Sequence, residues 1–403
     1  MRTLADLDVE GRRVLVRVDF NVPLEAGEIT DDTRIREALP TIEELRRRGA
    51  RIILVSHLGR PKGDRDPSFS LRPCADRLAE LIGAPVALAP GIVGPEVTEL
   101  VGGLGPGDVA MLENIRYEPG ELTNDPELAG QLAELADVYV NDAFGAAHRA
   151  HASTEGVARA IGESCAGLLL EREVTVLGEI LANPARPLVA VVGGAKVTDK
   201  LGVIERFLEL ADVILIGGAM CFPFFKAQGH DVGGSLCEEA GVDPARRALD
   251  DASRSECELL LPTDLVIADR FAADADHRVL DGIDVPDGWM GLDVGPATAE
   301  LYAERIASAG TVFWNGPMGA FELEPFAAGT RAVADAIVAS PAITVVGGGD
   351  SAAALTKFGL QGGVTHLSTG GGATLEMIEG RELPALGVLR DRPTADSSAE
   401  GSP

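Results

Sequence analysis

A rhythm of alternating patterns constrains this chain more than any other feature. Short runs of β-branched and other apolar residues recur along its 403 residues, each followed by a glycine-rich or charged loop and then by a stretch with helical spacing. In the first half the runs are VLVRV (14–18), RIILV (51–55), DVAML (108–112) and DVYV (137–140). In the second they are LVAVV (188–192), DVILI (212–216), DLVIA (264–268), TVFW (311–314) and ITVV (343–346). Amphipathic segments lie between them, such as Leu71 to Ile82, ended by Gly83, and Asp125 to Ala136. Runs that are apolar at nearly every position must be covered on both faces, which predicts parallel sheets flanked by helices. The expected fold is α/β, with two doubly wound, Rossmann-like domains.

Between the halves, GLLLEREVTVLGEILANP (167–184) carries apolar residues at helical spacing until Asn183-Pro184 stops it. It reads as a linker helix about which two domains can hinge. The expected division is a first domain over 1–166, the linker over 167–184, a second domain over 185–375, a segment 376–390 packing back on the first domain, and a polar, disordered tail over 391–403.

Charge excludes one class of function. Asp and Glu number 63 against 35 Lys and Arg, a net charge of −28, and only 4% of residues are aromatic, whereas a nucleic-acid binder needs a basic face and stacking platforms. Of the cations only five are lysine (Lys62, Lys196, Lys200, Lys226, Lys357), so lysine should survive where a compact ammonium is needed. Cys74, Cys165, Cys221, Cys237 and Cys257 are odd in number, far apart and without a CxxC pair, which fits neither a disulfide framework nor a zinc site. No apolar run approaches the ~20 residues that span a bilayer, and the N-terminus lacks a signal-peptide pattern. A cytoplasmic protein with no membrane partner is expected, and a monomer, since closing domains need free surfaces.

Ligands of open parallel sheets bind at the carboxyl ends of the strands, so function is read in the loops there. First-half loops carry cations and polar side chains: DFN (19–21), SHLGRPKG (56–63), ENIRY (113–117) and NDAFGAAHRAH (141–151). Arg60, Arg116 and Arg149 at strand ends, with Arg34 and His57, would converge as a clamp for a small polyanion, because guanidinium forks grip phosphate and carboxylate. The plainer alternatives are surface arginines paired with acids and a structural His57. Second-half loops carry backbone: GGAKVTDK (193–200), GGAM (217–220), WNGPMG (314–319), GGGDS (347–351) and STGGGA (368–373). Glycine loops that open helices present amides to phosphate. Lys196 and Lys200, four apart, would share one face of the first turns of the helix running to Leu210. Asp350 is either an N-cap or a Mg²⁺ ligand, and Glu322 either accepts a ribose hydroxyl or is exposed. A Walker loop, a protein-kinase motif set and a dinucleotide fingerprint are all absent.

Taken together and in order, RVDFNVPL, SHLGRPKG, ENIRY, NDAFGAAHRAHAST, VGGAKVTDKL, LPTDLVIADRF, GLDVGP, VFWNGPMGAFE, GGGDSAAA and STGGGATLE resemble the phosphoglycerate kinase family, over Val14 to Val388. The resemblance implies reversible transfer of the γ-phosphoryl group of MgATP to the carboxylate of 3-phosphoglycerate, a step of glycolysis. It places Asp19, Phe20, Asn21, Arg34, His57, Leu58, Gly59, Arg60, Arg116 and Arg149 on phosphoglycerate. Lys196, Lys200, Gly291, Asn315, Pro317, Glu322, Gly348, Gly349, Asp350 and Ser351 fall on nucleotide positions, Asp350 as the Mg²⁺ contact. Arg34, Lys196, Lys200, Gly371 and Gly372 take the catalytic roles. Departures from the pattern are ENIRY for ENLRF, Ser351 for a frequent Thr, and MCFPFFKAQG near the adenine-side helix. The rival readings are an inactive nucleotide-binding relative and a dinucleotide-dependent dehydrogenase.

Overall fold

A computed structural model of the chain describes residues 1–61 and 65–390. Lys62 and the tail 391–403 lie outside the described residues. The chain forms two compact units, Met1–Thr175 together with the segment beginning at Glu382, and Val176–Arg381.

The sheet of the first unit is six-stranded and wholly parallel. From edge to edge its strands are Val86–Leu88, Val109–Met111, Arg51–Val55, Arg13–Arg17, Val138–Asn141 and Ser164–Ala166. Arg13–Arg17 is central because its flanks are apolar on both faces: Val14, Leu15 and Val16 are all fully buried. The chain first winds to one side of this strand and then to the other, so the loops after Arg17 and Asn141 part at a switch point, where such sheets bind ligands. Local signals place the covering helices. Helix Arg72–Ile82 ends on Gly83 in the left-handed conformation, and helix Pro126–Glu134 starts where Asp125 accepts a bond of 2.7 Å from the Glu127 amide.

The second unit repeats the plan, with parallel strands ordered Glu258–Leu260, Val213–Ile216, Leu188–Val192, Thr311–Asn315, Ile343–Gly347 and His366–Leu367. Here the switch point separates the loops after Val192 and Asn315.

One strand departs from expectation. Leu265–Ala268 joins neither parallel sheet but is the middle of a separate antiparallel one, between His277–Leu280 and Met290–Val294. Its apolar residues face a small cluster of their own around Ala268, Ala275 and Phe326, while His277–Leu280 is mostly exposed and so has no apolar signature to announce it. Strands of two or three residues, such as Val86–Leu88 and His366–Leu367, are likewise too short to show a period.

Helix Leu168–Ala182 occupies the linker segment. Its start is fixed by polar side chains of the first unit: Thr41 Oγ1 accepts from the Leu168 amide at 2.9 Å, and the Asp142 carboxylate accepts from the amides of Leu169 (2.9 Å) and Leu170 (3.3 Å). Burial raises Asp142 to about 6 despite these donors. Among the described residues no helix is long and apolar enough to cross a membrane, and all five cysteines are free thiols.

Candidate active site

Strand ends of the first unit gather a cationic cluster. Asp19 and Asn21 follow Arg13–Arg17, His57 to Arg60 follow Arg51–Val55, Arg116 follows Val109–Met111, and Arg149 follows Val138–Asn141. Arg34, in the first turn of helix Thr33–Arg47, pairs with Asp19. Asn21 Oδ1 accepts from the Gly59 amide at 2.8 Å and the Arg116 guanidinium donates to the Gly59 carbonyl, so three loops meet at one glycine. Beneath them the fully buried Asn114 donates to the carbonyls of Leu58 (2.7 Å) and Phe69 (2.9 Å) and accepts from the amides of Leu58 and Arg116. Phe20 and Leu58 are buried beside them, and Arg60 is exposed.

Electrostatics make this cluster a candidate for binding an anion. Burial, together with the neighbouring Arg149 and Arg17, lowers Arg116 to about 10, an unusual depression for a guanidinium. Burial opposes charge on Asp19, but the guanidinium of Arg34, with Arg17 behind it, outweighs burial and holds the carboxyl below its ordinary value. An anion bound beside Arg116 would relieve that depression. Arg149 donates to His148 Nε2 at 3.0 Å.

Sequence reasoning missed Arg17. It is 1% exposed inside a strand, bonded to Ser153 Oγ at 2.8 Å, to the Val18 carbonyl, and to His57 Nδ1 at 3.1 Å. The signal was present in VLVRV, where one arginine interrupts a run that is otherwise wholly apolar.

In the second unit, three glycine-rich turns lock together at strand ends. The Gly194 amide donates to the Pro317 carbonyl (2.9 Å), that of Gly218 to Met318 (2.9 Å), and that of Met220 to Gly194 (3.0 Å). Beside them opens a cleft of about 660 Å³ lined by Gly291, Pro317, Glu322 and Asp350, with Leu236, Phe271 and Met290 among its apolar walls. Lys357 Nζ donates to the Phe321 carbonyl at 2.7 Å and so anchors the loop that carries Glu322, which gives this lysine a structural task.

Lys200, Asn315, Gly348 and Ser351 are not in that lining but form a linked group of their own. Lys200 Nζ donates to the carbonyls of Gly193 (2.7 Å) and Asn315 (2.9 Å) and to Asn315 Oδ1, while Ser351 Oγ accepts from the Gly316 amide at 2.6 Å. Burial lowers Lys200 to about 8 against the pull of Asp350 and Asp199. Asn315 is 2% exposed, yet its Nδ2 has no partner. Gly348, at φ +91°, would place a Cβ only 2.8 Å from that nitrogen, so no side chain fits there.

The two lysines do not share a helical face as expected. Helix Leu201–Leu210 begins only after Lys200, preceded by a 3₁₀ turn over Thr198–Lys200, and Lys196 lies in the loop before both and is exposed. The cause is local: Glu238 accepts from the Thr198 amide (3.1 Å) and hydroxyl, which fixes the turn, while Lys200 points inward to carbonyl oxygens. Asp350 lies in the first turn of helix Gly349–Phe358, whose cap Gly348 carries no side-chain bond, and its carboxylate is exposed. It does not cap the helix. Gly371, at φ +51°, precedes helix Gly372–Ile378, and neither Gly371 nor Gly372 lines the cleft.

Among the described residues no three His, Cys, Asp or Glu side chains cluster as a metal site. Mg²⁺ is commonly held by one or two carboxylates with water and substrate phosphates, and the exposed Asp350 at the cleft fits that donor set.

Comparison with known proteins gives the family. The family model described as phosphoglycerate kinase matches residues 4–381. A phosphoglycerate kinase of Moorella thermoacetica is 55% identical over 390 residues, covering 97% of this chain and 99% of that protein. One of Chloroherpeton thalassium is 53% identical over 391 residues, covering 96% and 98%. The solved structure of the phosphoglycerate kinase from Coxiella burnetii superimposes with a TM-score of 0.86 at 43% identity, covering 96% of this chain and 98% of that one. The chain belongs to the phosphoglycerate kinase family.

Proposed function

We propose that the first unit holds 3-phosphoglycerate on Asp19, Asn21, Arg34, His57, Arg60, Arg116 and Arg149, and that the second holds MgATP on Lys196, Lys200, Asn315, Glu322 and the glycine loops. The chain moves the γ-phosphoryl group reversibly between ATP and the carboxylate of 3-phosphoglycerate. The observation that carries the assignment of roles is the contrast between the units. One gathers arginines and a histidine around a polar loop cluster, and the other offers an apolar cleft walled by backbone.

The chemistry needs no general base, since the attacking carboxylate is already ionised at pH 7. Catalysis is then positioning and charge stabilisation. In the roles proposed for them, Arg34, Lys196 and the amides of Gly371 and Gly372 meet the charge that spreads over the equatorial oxygens of the transferring group. The Asp19–Arg34 pair keeps that guanidinium aimed before substrate arrives. Lys200 is pinned by three oxygens and braces the loop at Asn315, whose unpartnered Nδ2 is a donor ready for an anionic oxygen. Asp350 would hold Mg²⁺, which neutralises phosphate charge when bound.

Calorimetric titration of each ligand separately tests the division of labour. Arg116→Ala should lose 3-phosphoglycerate binding and keep ATP binding, and Lys200→Met should do the reverse. Loss of both ligands in either folded variant would refute the assignment of roles.

A further inference from the structure

We propose that Glu121 and Ser153 are positioning residues for the anion clamp: acting through Arg17, they hold the His57 imidazole with its proton on Nε2. The inference rests on the reading that the clamp receives 3-phosphoglycerate.

A connected set of buried side chains runs below the clamp. Glu121 and Arg17 are each 1% exposed and Ser153 is fully buried. Neither Asp19 nor Glu121 bonds Arg17 directly; its hydrogen bonds go to Ser153 Oγ, the Val18 carbonyl and His57 Nδ1. A buried guanidinium must be balanced, and Ser153 carries that balance to Glu121. Both carboxylate oxygens are spent on Ser153: Oε1 accepts from its hydroxyl at 2.8 Å and Oε2 from its amide at 2.9 Å. His151 Nδ1 lies 3.5 Å from Oε1. Burial opposes charge on Glu121, but His151, Arg17 and Ser153 hold it below the ordinary carboxyl value.

Donor and acceptor roles along this chain are fixed. Guanidinium carries only donors, so Ser153 Oγ must accept from Arg17 Nε, which leaves the hydroxyl hydrogen for Glu121. By the same rule His57 Nδ1, 3.1 Å from Arg17 Nη2, must offer its lone pair. Asp19 Oδ1 is 3.8 Å from Nδ1, too far to claim a proton there. Burial lowers His57 to about 3 against the pull of Asp19, with Arg17 and Arg116 adding to the shift, so the ring is neutral at physiological pH. A neutral ring with a lone pair at Nδ1 carries its hydrogen on Nε2. That hydrogen can be donated to an anion. With the tautomer reversed, Nε2 would present a lone pair to the anion and repel it.

Histidine ¹⁵N spectra of the ligand-free protein at pH 7 read the tautomer directly. Wild type should show a neutral His57 with Nδ1 unprotonated. Ser153→Ala, which removes the acceptor of Arg17 Nε, should give a mixture of tautomers. It should also raise the KM for 3-phosphoglycerate about tenfold, as expected for a weakened charged hydrogen bond, with the KM for ATP held and the melting temperature lowered by the loss of a buried partner for Arg17 and Glu121. Glu121→Gln keeps one acceptor oxygen and should move both readouts the same way by less. A protonated Nδ1 in wild type, or a Ser153→Ala variant with an unaltered tautomer, would overturn the inference while leaving the clamp reading intact. Equal rises in both KM values would reduce Ser153 to a packing residue. Normal 3-phosphoglycerate binding in Arg116→Ala would remove the clamp itself, and the positioning role with it.

Discussion

Lys200 shows how one side chain is tuned by its surroundings. Burial lowers its ammonium to about 8 although carbonyl oxygens accept from it, and the charge is therefore present below that pH and lost above it. Binding of an anionic nucleotide should follow the charge. The expected profile of kcat/KM for ATP is flat from pH 6.5 to 7.5 and falls above pH 8 by about tenfold per unit, the slope of one essential proton in the free protein. A profile that stays level to pH 9.5 would show that the Lys200 charge does not matter to nucleotide capture. Lysine scarcity had pointed to this residue in the sequence, and to Lys196 beside it. The same argument did not foresee Lys357, which serves a loop carbonyl, or Lys226, which pairs with Glu239 on the surface.

Turns and strand ends decide the site at the scale of elements. Gly348→Ala tests this, because the substitution meets two penalties at once: a φ of +91° and a Cβ 2.8 Å from Asn315 Nδ2. Gly359→Ala is the control, with a φ of +71° but nothing within 4 Å of the added carbon. Gly359→Ala should cost about 1 kcal/mol of stability and leave the KM for ATP alone. Gly348→Ala should cost about 2 to 4 kcal/mol by thermal unfolding and raise that KM, and equal effects of the two would contradict the close-approach argument. The main strands were legible because buried parallel strands are apolar throughout, and the helix stops were legible at Gly83 and Pro184. Ordered loop motifs singled out Asp19, Asn21, His57 and Arg116, whose loops the fold brings together at the strand ends. What was not legible arises from pairing across long sequence distances. The antiparallel placement of Leu265–Ala268 depends on an exposed partner strand without a pattern, and the inward turn of Lys200 depends on Glu238, 38 positions away.

On the whole-molecule scale, a net charge of −28 coexists with a concentrated group of cations in one unit. Net charge governs solubility, whereas local fields capture the ligand. Electrostatic capture at the clamp should therefore weaken with ionic strength despite the acidic surface. Transfer requires the two bound ligands to meet, so small-angle scattering should report compaction when 3-phosphoglycerate and a non-transferable ATP analogue are both present and not when either is alone. An unchanged radius of gyration would count against closure. The central claim, that these loops perform phosphoryl transfer to a phosphoglycerate, is tested most directly by coupled measurement of ADP formation with ATP, Mg²⁺ and 3-phosphoglycerate, in wild type and in Arg34→Ala. The account predicts ADP formation that depends on 3-phosphoglycerate, ceases on chelation of Mg²⁺, and drops by at least about a hundredfold in a folded Arg34→Ala protein. ADP formation indifferent to 3-phosphoglycerate, or near-normal turnover in Arg34→Ala, would contradict it.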